Sequence, residues 1–345
     1  MPRALVFGCA GERLSAEERR LFANVDPVGF VLFRRNYKEP DQVRALVAEM
    51  RDAVGRADAP VLIDQEGGRV ARLQPPHWRK YPAAAQIGAL PDPLAEEAAR
   101  LGARLIADDL ATLGIDVDAL PVLDLPAPGA DPVIGDRAYD SDPARVARLG
   151  RGACEGLLQG GVLPIIKHIP GHGRSQVDSH RDLPRVEASR DELAATDFAP
   201  FRALADMPWA MTAHIVYTSI DPDMPATFST AIIDGVIRRH IGFDGVLISD
   251  DISMGALQGS LAERTRRALA AGCDLALHCN GVLAEMEEVA DAAAPLTAAA
   301  QARLARAEAL GVKSQQRFDR ATAEARFAEL LGESVVAGSR APSRA

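Results

Sequence analysis

Three of the chain's seven histidines fall within a single segment, Lys167-His168-Ile169-Pro170-Gly171-His172-Gly173-Arg174-Ser175-Gln176-Val177-Asp178-Ser179-His180. Three readings compete for it. Its polar groups could simply satisfy one another in a loop. His168, His172 and His180 could share a zinc, but H-x3-H aligns two ligands only on a helix, and Pro170 and Gly171 break one. The third reading is acid–base chemistry. Asp178 and His180 are one residue apart, so in an extended loop both side chains point the same way. A carboxylate beside an imidazole orients the ring and favours its protonated form. Such a pair donates a proton and takes it back near neutral pH.

These residues need elements to hold them. Short aliphatic runs occur at 4–9, 29–33, 60–64, 115–125, 162–168, 208–214, 245–250 and 273–278. Between them lie helical stretches at 17–24, 40–56, 93–113, 143–159, 190–204, 230–240 and 262–271. Asp92-Pro93, Asp142-Pro143 and Ser189 read as helix starts. Eight strands alternating with helices predict a single-domain (β/α)8 TIM-type barrel over residues 1–331 with a helical C-terminal extension. An open doubly wound sheet is the alternative, because alternation does not prove closure. Residues 332–345 read as a disordered tail. In a barrel, function collects where strands end. Those ends carry Asp64 with Glu66, Lys167-His168, His214, Asp250-Asp251 and His278.

Composition narrows the classes. The 345 residues carry 39 Lys plus Arg against 48 Asp plus Glu, a net charge of −9. That balance offers no basic footprint for nucleic acid. Aromatics are only 5%, which argues against a long cleft of stacked platforms. Cys9, Cys154, Cys273 and Cys279 match no zinc-ribbon or CxxC spacing and read as buried hydrophobes in a reducing compartment. No apolar run approaches the ~18 residues of a membrane span. The run at 4–10 is short and followed at once by Glu12 and Arg13, so it reads as a first strand rather than a secretory signal. The expectation is a cytoplasmic protein with no membrane or nucleic-acid partner.

Four segments, in order, carry a family resemblance. They are Ile63-Asp64-Gln65-Glu66-Gly67-Gly68-Arg69-Val70-Ala71-Arg72, Val133-Ile134-Gly135-Asp136-Arg137, the histidine-rich segment through His180, and Leu247-Ile248-Ser249-Asp250-Asp251-Ile252-Ser253-Met254. Together they resemble the bacterial β-N-acetylhexosaminidases of glycoside hydrolase family 3, the NagZ type, over about residues 2–331. The resemblance implies a retaining enzyme that removes terminal β-linked GlcNAc from muropeptides in peptidoglycan recycling. It needs no cofactor or metal and acts as a monomer. It implies Asp250 as nucleophile and His180 as general acid/base, with Asp178 as its partner. Asp64, Arg72, Arg137, Lys167 and His168 match the residues that hold the sugar.

Two positions depart from the commonest pattern: Ile169 where Phe is frequent, and Arg174 where an acidic or small residue is usual. They leave the packing and mobility of loop 169–182 open. Pro170, Gly171 and Gly173 suggest a loop that brings His180 in after the sugar binds. Strand alternation does not choose between Asp250 and Asp251, since both faces of a barrel strand are apolar; the resemblance chooses Asp250. His214 reads equally as site support or core hydrogen bonding, and His77, His240 and His278 read as structural. The rivals are a metal-dependent barrel hydrolase, a sugar-binding barrel without catalysis, and a β-glucosidase of the same family. The last commonly carries a second α/β domain, for which no length follows residue 331.

Overall fold

The computed structural model describes residues 1–179 and 182–332. Eight parallel strands close on themselves, which decides for the barrel against the open sheet. They are β1 Arg3–Phe7, β2 Pro27–Leu32, β3 Val61–Ile63, β4 Val117–Asp118, β5 Leu163–Ile169, β6 Trp209–Thr212, β7 Val246–Asp251 and β8 Leu275–His278. The ring closes where Phe7 of β1 stands in register with His278 of β8. Above that seam Arg35 stitches the two strand ends, donating from Nε to the Cys9 carbonyl at 2.8 Å and from Nη2 to the Cys279 carbonyl.

Helices α1 Ala16–Val25, α2 Pro40–Val54, α3 Leu94–Ala111 and α4 Pro143–Gln159 cover the first half. The pair α5 Arg190–Ala195 and α6 Phe198–Ala203 follows, then α7 Ile233–Ile241 and α8 Leu261–Ala271. Alternate strand residues Val6, Val31, Leu62, Ile165, Met211 and Ile248 pack together in the lumen. The opposite parity, including Leu5, Phe30, Ile63, Ile166 and Leu247, packs beneath the helices. After α9 Leu283–Ala292, helix α10 Ala298–Ser314 adds Ala300 and Ala307 to the lumen cluster. The Leu296 N–H just before it bonds to the Pro2 carbonyl at 3.0 Å, so this helix plugs the barrel at its N-terminal end. Helix α11 Arg320–Leu330 seats Phe327 on α3, where Gly102 leaves room for the ring.

Several expected boundaries move. Of the run 115–125 only Val117–Asp118 belongs to the sheet. Pro121 has no N–H to give, and the chain continues as a loop held by the Leu123 N–H on the Lys167 carbonyl at 2.7 Å. The helix expected over 190–204 is two, parted at Thr196-Asp197, whose side chains bond to Arg174. Ser189 and Asp142 cap their helices, accepting from Glu192 N at 3.2 Å and Ala144 N at 2.8 Å. Asp92 does not cap; its carboxylate pairs instead with Arg145 and Arg148. Helix α7 is π-wound, with i→i+5 bonds that periodicity does not foretell. The four cysteines are buried and unpaired. Among the described residues no helix is long and apolar enough to cross a membrane. The expected tail lies, beyond Gly332, outside the described residues.

Candidate active site

Lumen parity decides which strand ends face the open C-terminal mouth. Leu62 points into the lumen, so Asp64 two residues on does the same; Ile165 carries Lys167, and Ile248 carries Asp250. Together with Arg72, Arg137, His168 and Asp178 they line one cavity of about 310 Å³. Ligand cavities run from roughly 300 to 1,000 Å³, so this one suits a single sugar ring. His180 lies outside the described residues.

The cavity wall is a buried charge network. Lys167 Nζ lies 2.9 Å from Asp64 Oδ1 and 2.7 Å from Glu66 Oε1. Burial pulls the Lys167 pKa down, but Asp64 and Glu66 outweigh it and raise it, so the ammonium keeps its charge. Burial pushes Asp64 the other way, yet Lys167 and Arg72, whose Nη2 donates to Oδ2 at 2.7 Å, hold it well below the usual carboxylate range. Glu66 accepts a fork from Arg137, Nε and Nη2 each at 2.8 Å. Against its own burial, Arg137 and Lys167 hold its carboxyl down to about 2. Beneath them Asp118 is fully buried, and one oxygen accepts the Gln65 N–H at 2.9 Å. Burial pushes this carboxyl up to about 8, toward its neutral form.

Asp250 stands opposite. Burial raises its pKa, but the His214 and His168 imidazoles and the Asp251 N–H, 2.8 Å from Oδ1, bring it below the ordinary value. It is therefore an anion at neutral pH. Asp251 also borders the cavity, but its carboxylate is tied into the loop. It accepts from Ser253 N at 3.0 Å, Ser253 Oγ at 2.6 Å and Cys279 N at 3.3 Å.

The histidines separate by partner. His168 Nδ1 lies 2.6 Å from Asp124 Oδ2. His172 Nε2 faces Ser179 Oγ at 3.0 Å, and burial lowers its pKa to about 4. His214 is a core hydrogen-bonding residue, with Nδ1 2.7 Å from Thr227 Oγ1 and Nε2 donating to the Asp251 carbonyl at 3.0 Å. His278 faces Glu285 at 3.1 Å, while His240 and His77 pack edge-on against Phe198 and Trp78. No group of three or more His, Cys, Asp or Glu among the described residues could hold a metal ion.

Both departures from the family pattern are absorbed by packing. Ile169 is fully buried in the core between barrel and helices. Arg174 reaches across to Asp197 Oδ2 and Glu192 Oε1, each at 2.7 Å. Sequence reasoning noted Glu66 without giving it a role and passed over Asp118 and Asp124. Glu66 is 71 positions from Arg137, and no local spacing reports such a pairing. Asp124 sits in a run that reads as plain strand.

The glycosyl hydrolase family 3 N-terminal domain matches residues 4–309. A β-hexosaminidase of Alkalilimnicola ehrlichii is 42% identical over 283 residues, 80% of each chain. One of Thiobacillus denitrificans is 38% identical over 309 residues, 88% of this chain and 85% of the other. Among solved structures, NagZ from Neisseria gonorrhoeae in complex with N-trifluoroacetyl-D-glucosamine superposes with a TM-score of 0.85. It is 35% identical, and the match covers 96% of this chain and 99% of that one. The closed barrel, the cavity at its mouth and these matches agree: the chain belongs to glycosyl hydrolase family 3 and is a glycoside hydrolase of the bacterial β-hexosaminidase type.

Proposed function

We propose that this hydrolase is a retaining exo-β-N-acetylglucosaminidase. It removes terminal β-linked GlcNAc from muropeptides (GlcNAc-1,6-anhydro-MurNAc-peptides) during peptidoglycan recycling, in the cytoplasm, as a monomer without a cofactor. The observation that carries the reading is the ionised Asp250 carboxylate in a cavity of about 310 Å³ whose opposite wall is pinned by Lys167, Arg72 and Arg137. A cavity of that size takes one terminal sugar, and an anion in it serves as the nucleophile of a retaining reaction.

In this mechanism an Asp250 oxygen attacks the anomeric carbon. The Asp178–His180 pair gives a proton to the departing glycosidic oxygen. The glycosyl-enzyme ester is then cleaved by water, whose proton returns to the imidazole as Asp250 leaves. An imidazole needs little tuning for both roles, since its ordinary pKa is near about 6.5. Asp64 and His168 take part in holding the sugar. After accepting from Arg72 and Lys167, Asp64 keeps acceptor capacity for hydroxyls, because a carboxylate offers about four lone-pair sites. The gonococcal relative was solved with a glucosamine derivative, which supports the same sugar class here.

The test is hydrolysis of chromogenic β-GlcNAc and β-glucose substrates by the wild type and Asp250→Ala. The expected result is preference for the GlcNAc substrate and a loss of at least about a thousandfold in the variant. Preference for the glucoside, or full activity in the variant, overturns the reading.

A further inference from the structure

Asp124 belongs to no segment that suggested function, yet it is wholly buried behind the cavity wall. Its two oxygens divide their work. Oδ1 accepts two backbone N–H groups, from His168 at 3.1 Å and from His172 at 2.7 Å, and so ties the end of β5 to the loop that follows. Among the described residues Oδ2 faces the His168 ring alone, at 2.6 Å from Nδ1. A carboxylate offers no hydrogen for this contact while it is ionised, so the hydrogen must sit on Nδ1. Asp124 is ionised: its contacts are donors, two backbone N–H groups on Oδ1 and the His168 ring nitrogen on Oδ2, and its carboxyl lies below the ordinary value despite burial. His168 itself borders the cavity.

From this geometry we propose that Asp124 is a positioning residue. It keeps the His168 hydrogen on Nδ1 and thereby presents Nε2 to the cavity as a hydrogen-bond acceptor for a sugar hydroxyl. The inference deepens the glycosidase reading and rests on it for the identity of the ligand. It also has a chemical logic within the site. Lys167, Arg72 and Arg137 are obligate donors, and Asp64 and Glu66 already accept from them. With the hydrogen on Nδ1 alone, Nε2 adds an acceptor that no cation occupies in the described network. A hydroxyl, which is both donor and acceptor, can then donate to His168 while accepting from a neighbouring cation.

The division of labour supplies a clean perturbation. In Asp124→Asn the carbonyl oxygen can take the place of Oδ1 and keep both backbone bonds, while the amide NH2 replaces Oδ2 alone. That NH2 donates to Nδ1 and drives the ring hydrogen to Nε2. The experiment labels the histidines with 15N and reads two-bond proton–nitrogen couplings at about pH 8.5, where an ordinary imidazole is neutral. His168→Gln identifies the His168 signal. The wild type is expected to carry its hydrogen on Nδ1 and Asp124→Asn on Nε2, with unchanged far-ultraviolet circular dichroism. The variant should also lose about tenfold or more in kcat/KM on the chromogenic GlcNAc substrate, as an orienting partner's loss typically costs.

A purely structural Asp124 would move the melting temperature but not the tautomer. A wild-type ring with hydrogen on Nε2, or on both nitrogens, overturns the proposal, and this arm holds even if the variant does not fold. So does an Asp124→Asn enzyme with the switched tautomer and undiminished kcat/KM. If the wild type hydrolyses no GlcNAc substrate while the tautomer stands as expected, the glycosidase reading fails and the assignment of Asp124 to His168 survives.

Discussion

Glu66 offers the sharpest test of the charge network. Glu66→Gln keeps the side-chain shape but removes the anion that Arg137 grips at 2.8 Å and Lys167 at 2.7 Å. Its side chain is only 5% exposed, so solvent screens little of the interaction. Two routes give the magnitude. A carboxyl moved from 4.5 to about 2 on folding contributes about 3 kcal/mol at neutral pH. Removing one partner of a buried pair costs about 3–5 kcal/mol. With an unfolding entropy of about 2.1 cal/mol/K per residue over 345 residues, a loss of 3–5 kcal/mol lowers Tm by about 4–7 °C. The sign in pH follows from the depressed value. The stabilisation is fully present above 4.5 and is lost as pH falls through about 2. At pH 3 less than half of it remains. Calorimetry of both proteins at pH 7.5 and pH 3 reads the gap directly. A gap below about 1 kcal/mol at pH 7.5, or one that does not narrow at pH 3, refutes the reasoning.

Three further outcomes are expected. Asp251→Asn disturbs bonds to Ser253 and Cys279, so it should cost about 1–3 kcal/mol of stability. A mechanism-based fluoro-sugar should still label Asp250, and mass spectrometry finding the label on Asp251 would reverse the assignment. Arg174→Ala strands the Asp197 carboxylate, 2% exposed, beside Thr196, and should cost about 3 kcal/mol by urea unfolding; a loss under about 1 kcal/mol contradicts the clamp. His172, lowered from 6.5 to about 4 by burial, stays neutral in the fold. Its contribution is present above 6.5 and is lost as pH falls through about 4, about 3 kcal/mol in all. His172→Gln should lack that loss, and identical acid-unfolding profiles of variant and wild type would count against it.

The architecture was legible because helices and barrel strands differ in hydrophobic period, and because barrel strands end in polar groups only where the mouth opens. Asp64, Lys167, His168 and Asp250 could therefore be picked from strand ends. Asp178 stood out by its spacing to His180; Arg72 and Arg137 became candidates only through motif resemblance, and the structure brings all of these to one cavity. Boundaries were less legible. Nothing local at 115–125 reveals that only Val117–Asp118 joins the sheet, or that Thr196-Asp197 parts a helix to meet Arg174.

What the amino-acid sequence determines by itself is the order of elements, the residue types at each strand end and the family they resemble. Those depend on neighbours in the chain, which a sequence records. Which parity of each strand faces the lumen is a tertiary matter, since both faces of these strands are apolar. Closure of the barrel settles it, turning Val246, Ile248 and then Asp250 inward. The roles of Glu66, Asp118 and Asp124 have the same origin. Each takes its charge state from burial and from partners tens of positions away, and only folding creates either.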